Sequence, residues 1–303
     1  MRLELSGPGG EPIDLFRTFA SHGVASLPPF QVDEAVPSLT VTLALDRGKP
    51  RTVTVHPGRG RWAQVSVAGA GLSPTRSQVV LQEVRRVLRF DEDLSDFYSA
   101  VVDDPDLAWA AAGAGRMIRS QTVFEEVVKT ICTTNCAWSA TERMVAALVE
   151  HLGEAATGAP PTGAGGRTFP TPAVMAEADE AFYGDVVRAG YRGTSMRSLA
   201  LAVRDGDIDL ECLDASHPED LDDDEVEARL LAIHGVGPYA AAHVMMMLGR
   251  YSRLILDSWT RPKYAQLVGR RTVADATIER RFRRYGPWAG LAFWLFLTRD
   301  WAD

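Results

Sequence analysis

The chain has 303 residues, of which 46% are hydrophobic and 24% charged, and a net charge of −8. This balance is that of a globular protein and excludes a mostly disordered chain; at this length roughly 75% of the unfolded surface can be buried without disulfides. It contains no run of about 18 apolar residues, so no membrane span is expected.

The first residues, MRLELSGPGGEPIDLF, lack the apolar stretch of a secretory signal. Three cysteines (Cys132, Cys136 and Cys212) are too few for a disulfide framework, so a cytoplasmic setting is expected. Lys49, Lys129 and Lys263 are the only lysines among 32 basic residues. Only lysine readily loses its proton to become a nucleophile, so this scarcity bears on mechanism.

Period-two patterning marks strands at 39–46 (LTVTLALD), 51–57 (RTVTVHP) and 62–69 (WAQVSVAG), with DRGKP as a hairpin turn between the first two. Residues 77–90 have helical spacing after a Ser73-Pro74 start. From about residue 91 the pattern is helical. Residues 124–153 read as two helices separated by TTNC, 154–170 as a Gly/Pro loop, and 172–187 and 195–203 as further helices. The expected class is α+β, mainly α: an antiparallel β domain over 1–112 and a helical core over 113–303.

Residues 205–228 hold twelve acidic side chains. Asp205, Asp207 and Asp209 begin like a calcium loop, but Leu210 stands where glycine is needed and Ser216 where glutamate is needed. A solvated connector is the expectation. Residues 251–303 reverse the balance, at +5 against −13 for the rest, so overall acidity does not exclude a basic face for phosphates.

The sharpest segment runs from 227 to 261. EARLLAI is amphipathic, HGVG interrupts it, and Pro238 fits the first position of a second helix. Gly235 and Gly237 leave main-chain amides uncovered beside a helix N-terminus, where a phosphate can approach. An ordinary helix–helix turn is the alternative. Asp257 follows the apolar run RLIL, and Asp-Ser before SWTRPKY would also make a good helix cap.

Together, GVGPYAA and LILDSWTR, with Asp257 twenty residues after Gly237, resemble the helix-hairpin-helix DNA glycosylase superfamily. That superfamily includes endonuclease III, the alkylpurine glycosylases and the 8-oxoguanine glycosylases. ICTTNCAWSATERM, AGYRGT and YGPWAGLAFWLF extend the resemblance to about residues 120–300. It implies a catalytic carboxylate at Asp257 and DNA contacts at Asn135, Tyr191, Arg192, Gly235, Gly237 and Tyr239. Asn135 would fill the space left by an extruded base; as a residue it also suits a helix cap before AWSATERM. It further implies a structural Na+ or K+ on the carbonyls of Leu231, Ile233 and Val236. No iron–sulfur cluster is expected, because the four terminal cysteines of the endonuclease III type are missing from 251–303.

Base excision breaks a C1′–N bond after extrusion of the base, which costs a few kcal/mol. A carboxylate near C1′ stabilises the oxocarbenium-like charge and can orient or deprotonate water. Strand-cleaving members use a lysine amine two residues after the second hairpin glycine, where this chain has Tyr239, so a monofunctional enzyme is expected. Phe293 stands where 8-oxoguanine enzymes keep a glutamine, and an apolar ring cannot replace its hydrogen bonds. Tyr239, Trp259, Trp288, Phe293 and Trp294 form either a core or an aromatic pocket that attracts cationic alkylated purines. The expected partner is double-stranded DNA carrying a damaged base, met by a monomer at the nucleoid. The alternatives are a mismatch thymine or uracil glycosylase and a non-catalytic damage-binding protein.

Overall fold

The computed structural model describes residues 1–46, 48–216 and 221–301. An antiparallel five-stranded sheet has the order β1-β5-β4-β3-β2, built from β1 (Arg2–Glu4), β2 (Phe30–Asp33), β3 (Ser38–Leu43), β4 (Arg51–Pro57) and β5 (Trp62–Val67). Alternation fixes the register. Val53 and Val55 of β4 are fully buried on one face, while Thr52 and Thr54 meet Thr42 and Thr40 of β3 with hydroxyl separations of 3.0 and 2.9 Å. The three expected strands are β3, β4 and β5. The sequence pattern did not reveal β1 and β2, which are three and four residues long. Arg47, in the expected hairpin turn, lies outside the described residues.

Helix α1 (Leu15–Phe19) precedes β2, and α2 (Pro74–Val87) follows β5. Ser73 caps α2 by accepting from Arg76 N at 3.4 Å, with Pro74 in the first turn. Its inward stripe of Val80, Val84 and Val87 joins Leu39, Val41, Val53 and Val65 in one core.

The helical part comprises α3 (Ser95–Val101), α4 (Val123–Thr133), α5 (Trp138–Leu152), α6 (Pro172–Glu177), α7 (Arg192–Asp205), α8 (Asp223–Leu231), α9 (Pro238–Met247), α10 (Thr260–Leu267), α11 (Asp275–Phe282) and α12 (Ala289–Thr298). It buries two apolar clusters. One gathers α4, α5, α7 and α8, the other α3 and α10–α12. Helix α9 serves both. Ala240, Ala241, Val244 and Met245 face the first cluster, and Ala242, Met246 and Met247 the second. Its sequence is apolar all round because it is buried all round. Leu94, Phe97, Leu107 and Ala110 pack with the C-terminal helices while Ile118 returns to the sheet's core, so the two cores interleave on either side of residue 112.

A polar seam joins the two parts. Arg116, fully buried, donates to Arg89 O (2.5 Å), Glu92 O (2.7 Å) and Glu11 Oε1 (2.5 Å). Arg119 and Arg86 both meet Asp214, the latter at 3.5 Å. The acidic segment is solvated along much of its length, with Asp205, Asp207, Asp209, Asp222 and Asp224 exposed, but it also carries structural pairs. Asp214 anchors the seam, Asp222 caps α8, Asp223 pairs with Arg250 at 3.0 Å, and Asp224 and Glu227 pair with Arg253. Its residues 217–220 lie outside the described residues.

Candidate functional site

Helices α8 and α9 form the expected hairpin. Gly235 has φ +93°, and a Cβ there would lie 2.8 Å from Ser195 Oγ, so both conformation and space require glycine. Ser195 Oγ also lies 2.8 Å from His234 Nδ1, which ties the hairpin to α7. Gly237 precedes Pro238 at the start of α9; it is exposed, and nothing lies within 4 Å of the point a Cβ would occupy.

Asp257 closes a run in which Ile255 is buried. Its Oδ1 accepts from Trp259 N (2.8 Å) and Thr260 N (2.6 Å), while Thr260 Oγ1 accepts from Asp257 N (2.8 Å). This reciprocal pattern fixes the carboxylate at the entrance to α10. Asp257 is half-buried and makes no ion pair among the described residues, and its bonds there involve Oδ1 alone. One oxygen caps the helix and the other makes no hydrogen bond among the described residues, so the capping role does not use up the carboxylate.

Tyr239, in the first turn of α9, lies 3.1 Å from Thr133 Oγ1 through its hydroxyl. Burial pushes its phenol up, and the Asp257 carboxylate adds to that direction, so Tyr239 is a neutral hydroxyl. One turn on, the His243 ring is 6.1 Å from Tyr239 and 6.2 Å from His22, a residue of the N-terminal domain. No motif marked either histidine; their pairing arises only when the two domains meet.

Thr133 ends α4, and the next turn presents Asn135. Its φ is +47°, it is exposed, and its Nδ2 donates to Tyr191 Oη at 3.2 Å. Ala137 occupies the cap position of α5, so Asn135 does not cap that helix. Tyr191 is exposed, but Arg192 is not. Arg192 lies beneath the turn, donating to Thr134 O from Nε (2.9 Å) and Nη2 and stacking 4.6 Å from the Tyr191 ring. It braces the Asn135 turn from below, where a surface contact was expected.

The aromatic pocket needs correction. Phe293 is fully buried in the core, 5.2 Å from Phe282 and 6.1 Å from Tyr264. Trp288 stacks on Tyr251 at 5.5 Å and tilts on Phe97 at 5.7 Å, on the core side of α12. Apolar spacing in YGPWAGLAFWLF could not separate these faces, because α12 is buried all round. Trp259 is 40% exposed and joins Trp294 (5.7 Å) and Trp301 (5.6 Å).

The basic C-terminal face is also smaller than its charge suggests. Arg261 pairs with Asp275, Lys263 with Asp300, Arg281 with Asp106 and Arg284 with Asp104. Arg270, Arg271, Arg280 and Arg283 remain exposed without an ion pair among the described residues. A groove of about 580 Å³ runs from Pro238 and Tyr239 toward Arg253, Arg261 and Arg283. Lys129, the lysine nearest in sequence to the Asn135 turn, is fully buried and paired with Glu125 at 2.6 Å.

A hairpin beside a helix-capping carboxylate, on a helical core with an N-terminal sheet, is the architecture of the helix-hairpin-helix DNA glycosylases, and this chain has that fold. A 3-methyladenine DNA glycosylase from Archaeoglobus fulgidus matches it with a TM-score of 0.73 over 99% of this chain and 98% of its own, at 19% identity. MBOgg1, solved with a low-affinity DNA ligand, matches at 0.74 over 100% and 96%, with 20% identity. A Clostridium acetobutylicum 8-oxoguanine glycosylase/lyase, solved on duplex DNA with cytosine opposite 8-oxoG, matches at 0.71 over 99% and 98%, with 19% identity. No family model and no curated protein matches the sequence.

Proposed function

We propose that this protein is a monofunctional DNA glycosylase that hydrolyses the N-glycosidic bond of a damaged base, with an N-alkylated purine as the preferred lesion. The supporting observation is the Asp257 carboxylate, fixed by two amides through one oxygen, with no hydrogen bond at the other among the described residues, and close enough to Tyr239 in the first turn of α9 to raise its phenol. As the C1′–N bond breaks, its electron pair leaves with the base and positive charge develops on the sugar. Asp257 stabilises that charge and orients the water whose oxygen bonds to C1′.

The Asn135 turn supports extrusion of the base. Its amide projects from a left-handed turn that asparagine adopts readily and can enter the vacated stack, with Tyr191 beside it. Gly235 and Gly237 bring main-chain amides to a phosphate. The carbonyls of Leu231, Ile233 and Val236 would hold a monovalent cation behind that phosphate; Ile233 O accepts only from Val236 N (3.0 Å) among the hydrogen bonds outside the helices, which leaves it a lone pair. Tyr239 offers a phenol where lyase chemistry needs an amine, and Lys263 is engaged by Asp300 at 2.9 Å, so water is the nucleophile.

The test is a panel of single-lesion duplexes, with abasic sites assayed with and without alkali. Alkali-dependent breaks are expected. Breaks without alkali would overturn the monofunctional reading, and no product from any lesion would leave a damage-binding protein. Asp257→Asn should lower the single-turnover rate on the order of 10²–10³ while duplex binding persists.

A further inference from the structure

We infer that Trp138, at the entrance to α5, is a further DNA-binding residue whose indole stacks on a base left unstacked when the lesion is extruded. This inference rests on the glycosylase reading, which supplies the DNA, and extends it to a residue that the resemblance gives no role.

Trp138 is the first residue of α5, three positions after Asn135. Farther along that helix the large apolar side chains Met144, Val145, Leu148 and Val149 are buried, but Trp138 is 41% exposed. Asn135, Ala137 and Ser139 around it are exposed as well. The far edge of the indole reaches the N-terminal domain, where a Cβ on Gly23 would stand 3.5 Å from Cη2 and 3.7 Å from Cζ2. An edge contact of this kind holds a ring in place without covering its faces. Asn135 thus has two exposed aromatic neighbours, Tyr191 through a hydrogen bond of 3.2 Å and Trp138 along the chain.

Extrusion of a nucleotide leaves the bases that flanked it with one bare face each. The amide of Asn135 can replace hydrogen bonds in the gap but covers little of those faces. An indole covers a whole base, and base–aromatic stacking tolerates any sequence because every base has a π-face. A residue three positions from the wedge, fixed by its edge and open on its faces, can make that contact without a change of backbone.

The surroundings of the ring favour nucleic acid over a protein partner. Ala137 holds the cap position of α5 and offers no side-chain acceptor, and the first turn of the helix has no acid. The positive end of α5 is therefore uncompensated directly beside the indole. An apolar ring next to a helix end that attracts anions matches a nucleotide, which joins a flat base to a phosphate.

Two substitutions separate stacking from packing. Trp138→Phe keeps an aromatic ring, and Trp138→Leu keeps apolar bulk but removes the π-face. The probes are one labelled duplex in two forms, intact and with a single tetrahydrofuran abasic-site analogue, which presents bare base faces and no base to excise. By fluorescence anisotropy, Trp138→Leu should bind the abasic-analogue duplex about tenfold more weakly and the intact duplex almost as tightly as the unaltered protein, with most of the loss recovered in Trp138→Phe. Binding of the abasic-analogue duplex should also quench tryptophan emission, and the quench should shrink in Trp138→Phe, a readout that does not depend on the folding of Trp138→Leu. If the indole only packs on Gly23, Trp138→Leu will melt earlier and lose affinity for both duplexes alike, and that result overturns the inference. Equal binding by all three proteins, or an unchanged quench in Trp138→Phe, also overturns it while leaving the glycosylase reading intact. If the unaltered protein binds neither duplex and releases no base from the lesion panel, the glycosylase reading itself fails, and the inference with it.

Discussion

The seam between the domains and the face around Asp257 both bury polar groups, but they use them differently. In the seam, charge meets charge. Arg116 spends three hydrogen bonds on Glu11 and two carbonyls, and Arg119 and Arg86 converge on Asp214. At the face, capacity is held back. Asp257 has no countercharge among the described residues, and His22 Nδ1 has no partner. The seam is not fully matched, since Glu11 Oε2, Arg116 Nε and Arg119 Nε are also buried without a partner; the difference lies in charge, because the seam pairs its ions and the face leaves the Asp257 carboxylate without a counterion among the described residues. This contrast makes the two regions separable by experiment.

The largest effect on stability should come from the seam. Arg116→Met leaves the Glu11 carboxylate buried without its cation, at a cost of about 3–5 kcal/mol by urea unfolding. The folded fraction should retain its full rate of base release. Loss of rate there would show that the seam also positions the site.

The reverse holds for Asp257→Asn, whose loss of 10²–10³ in rate corresponds to about 2.7–4 kcal/mol of barrier. Its stability should change by less than about 1 kcal/mol, because Asn caps a helix as well as Asp does. Unfolding midpoints and single-turnover rates on the same preparations test both halves. A large destabilisation would mean that the carboxylate mainly serves the fold.

Acid should weaken the fold through His22. Its folded value of about 4 lies below the ordinary 6.5, so between those pH values the unfolded chain binds a proton that the native state refuses. Stability therefore rises with pH across this window and is lost on acidification, by roughly 3 kcal/mol for this group. Carboxylates contribute to the same slope, so the measurement is the difference between unaltered protein and His22→Gln. Parallel stability curves from pH 6.5 to 4 would show that His22 is not buried neutral.

The face was more legible in sequence than the seam, for physical reasons. The hairpin and Asp257 are specified locally, by two glycines, a proline and an apolar approach, and those requirements leave marks at short range. The paired strands β3–β5 were legible through alternation, and α4 and α5 through the TTNC break. His22–His243 and Arg116–Glu11 join residues separated by hundreds of positions or by a whole domain, and no local pattern encodes such meetings. Phe293 and Trp288 were misplaced because an all-apolar helix has no periodicity to show which face meets the site. The motif around Arg192 suggested a surface contact, but its guanidinium satisfies Thr134 O instead.

The smallest effects separate the two hairpin glycines. Gly235→Ala meets both a positive φ and the Ser195 hydroxyl, which should cost about 1–2 kcal/mol of stability. Gly237→Ala meets neither, since its φ of −102° suits any residue and its surroundings are open. Its cost should be the preference for glycine over alanine at a helix start, at most about 1 kcal/mol. The new methyl group would stand where a phosphate must approach the α9 amides, so duplex affinity should fall a few-fold with little change in melting. Salt titration of binding to an undamaged duplex checks the origin, because a lost phosphate contact lowers the salt dependence as well as the affinity. If Gly237→Ala binds as tightly as the unaltered protein, the hairpin does not face DNA and the open valences around Asp257 must serve another ligand.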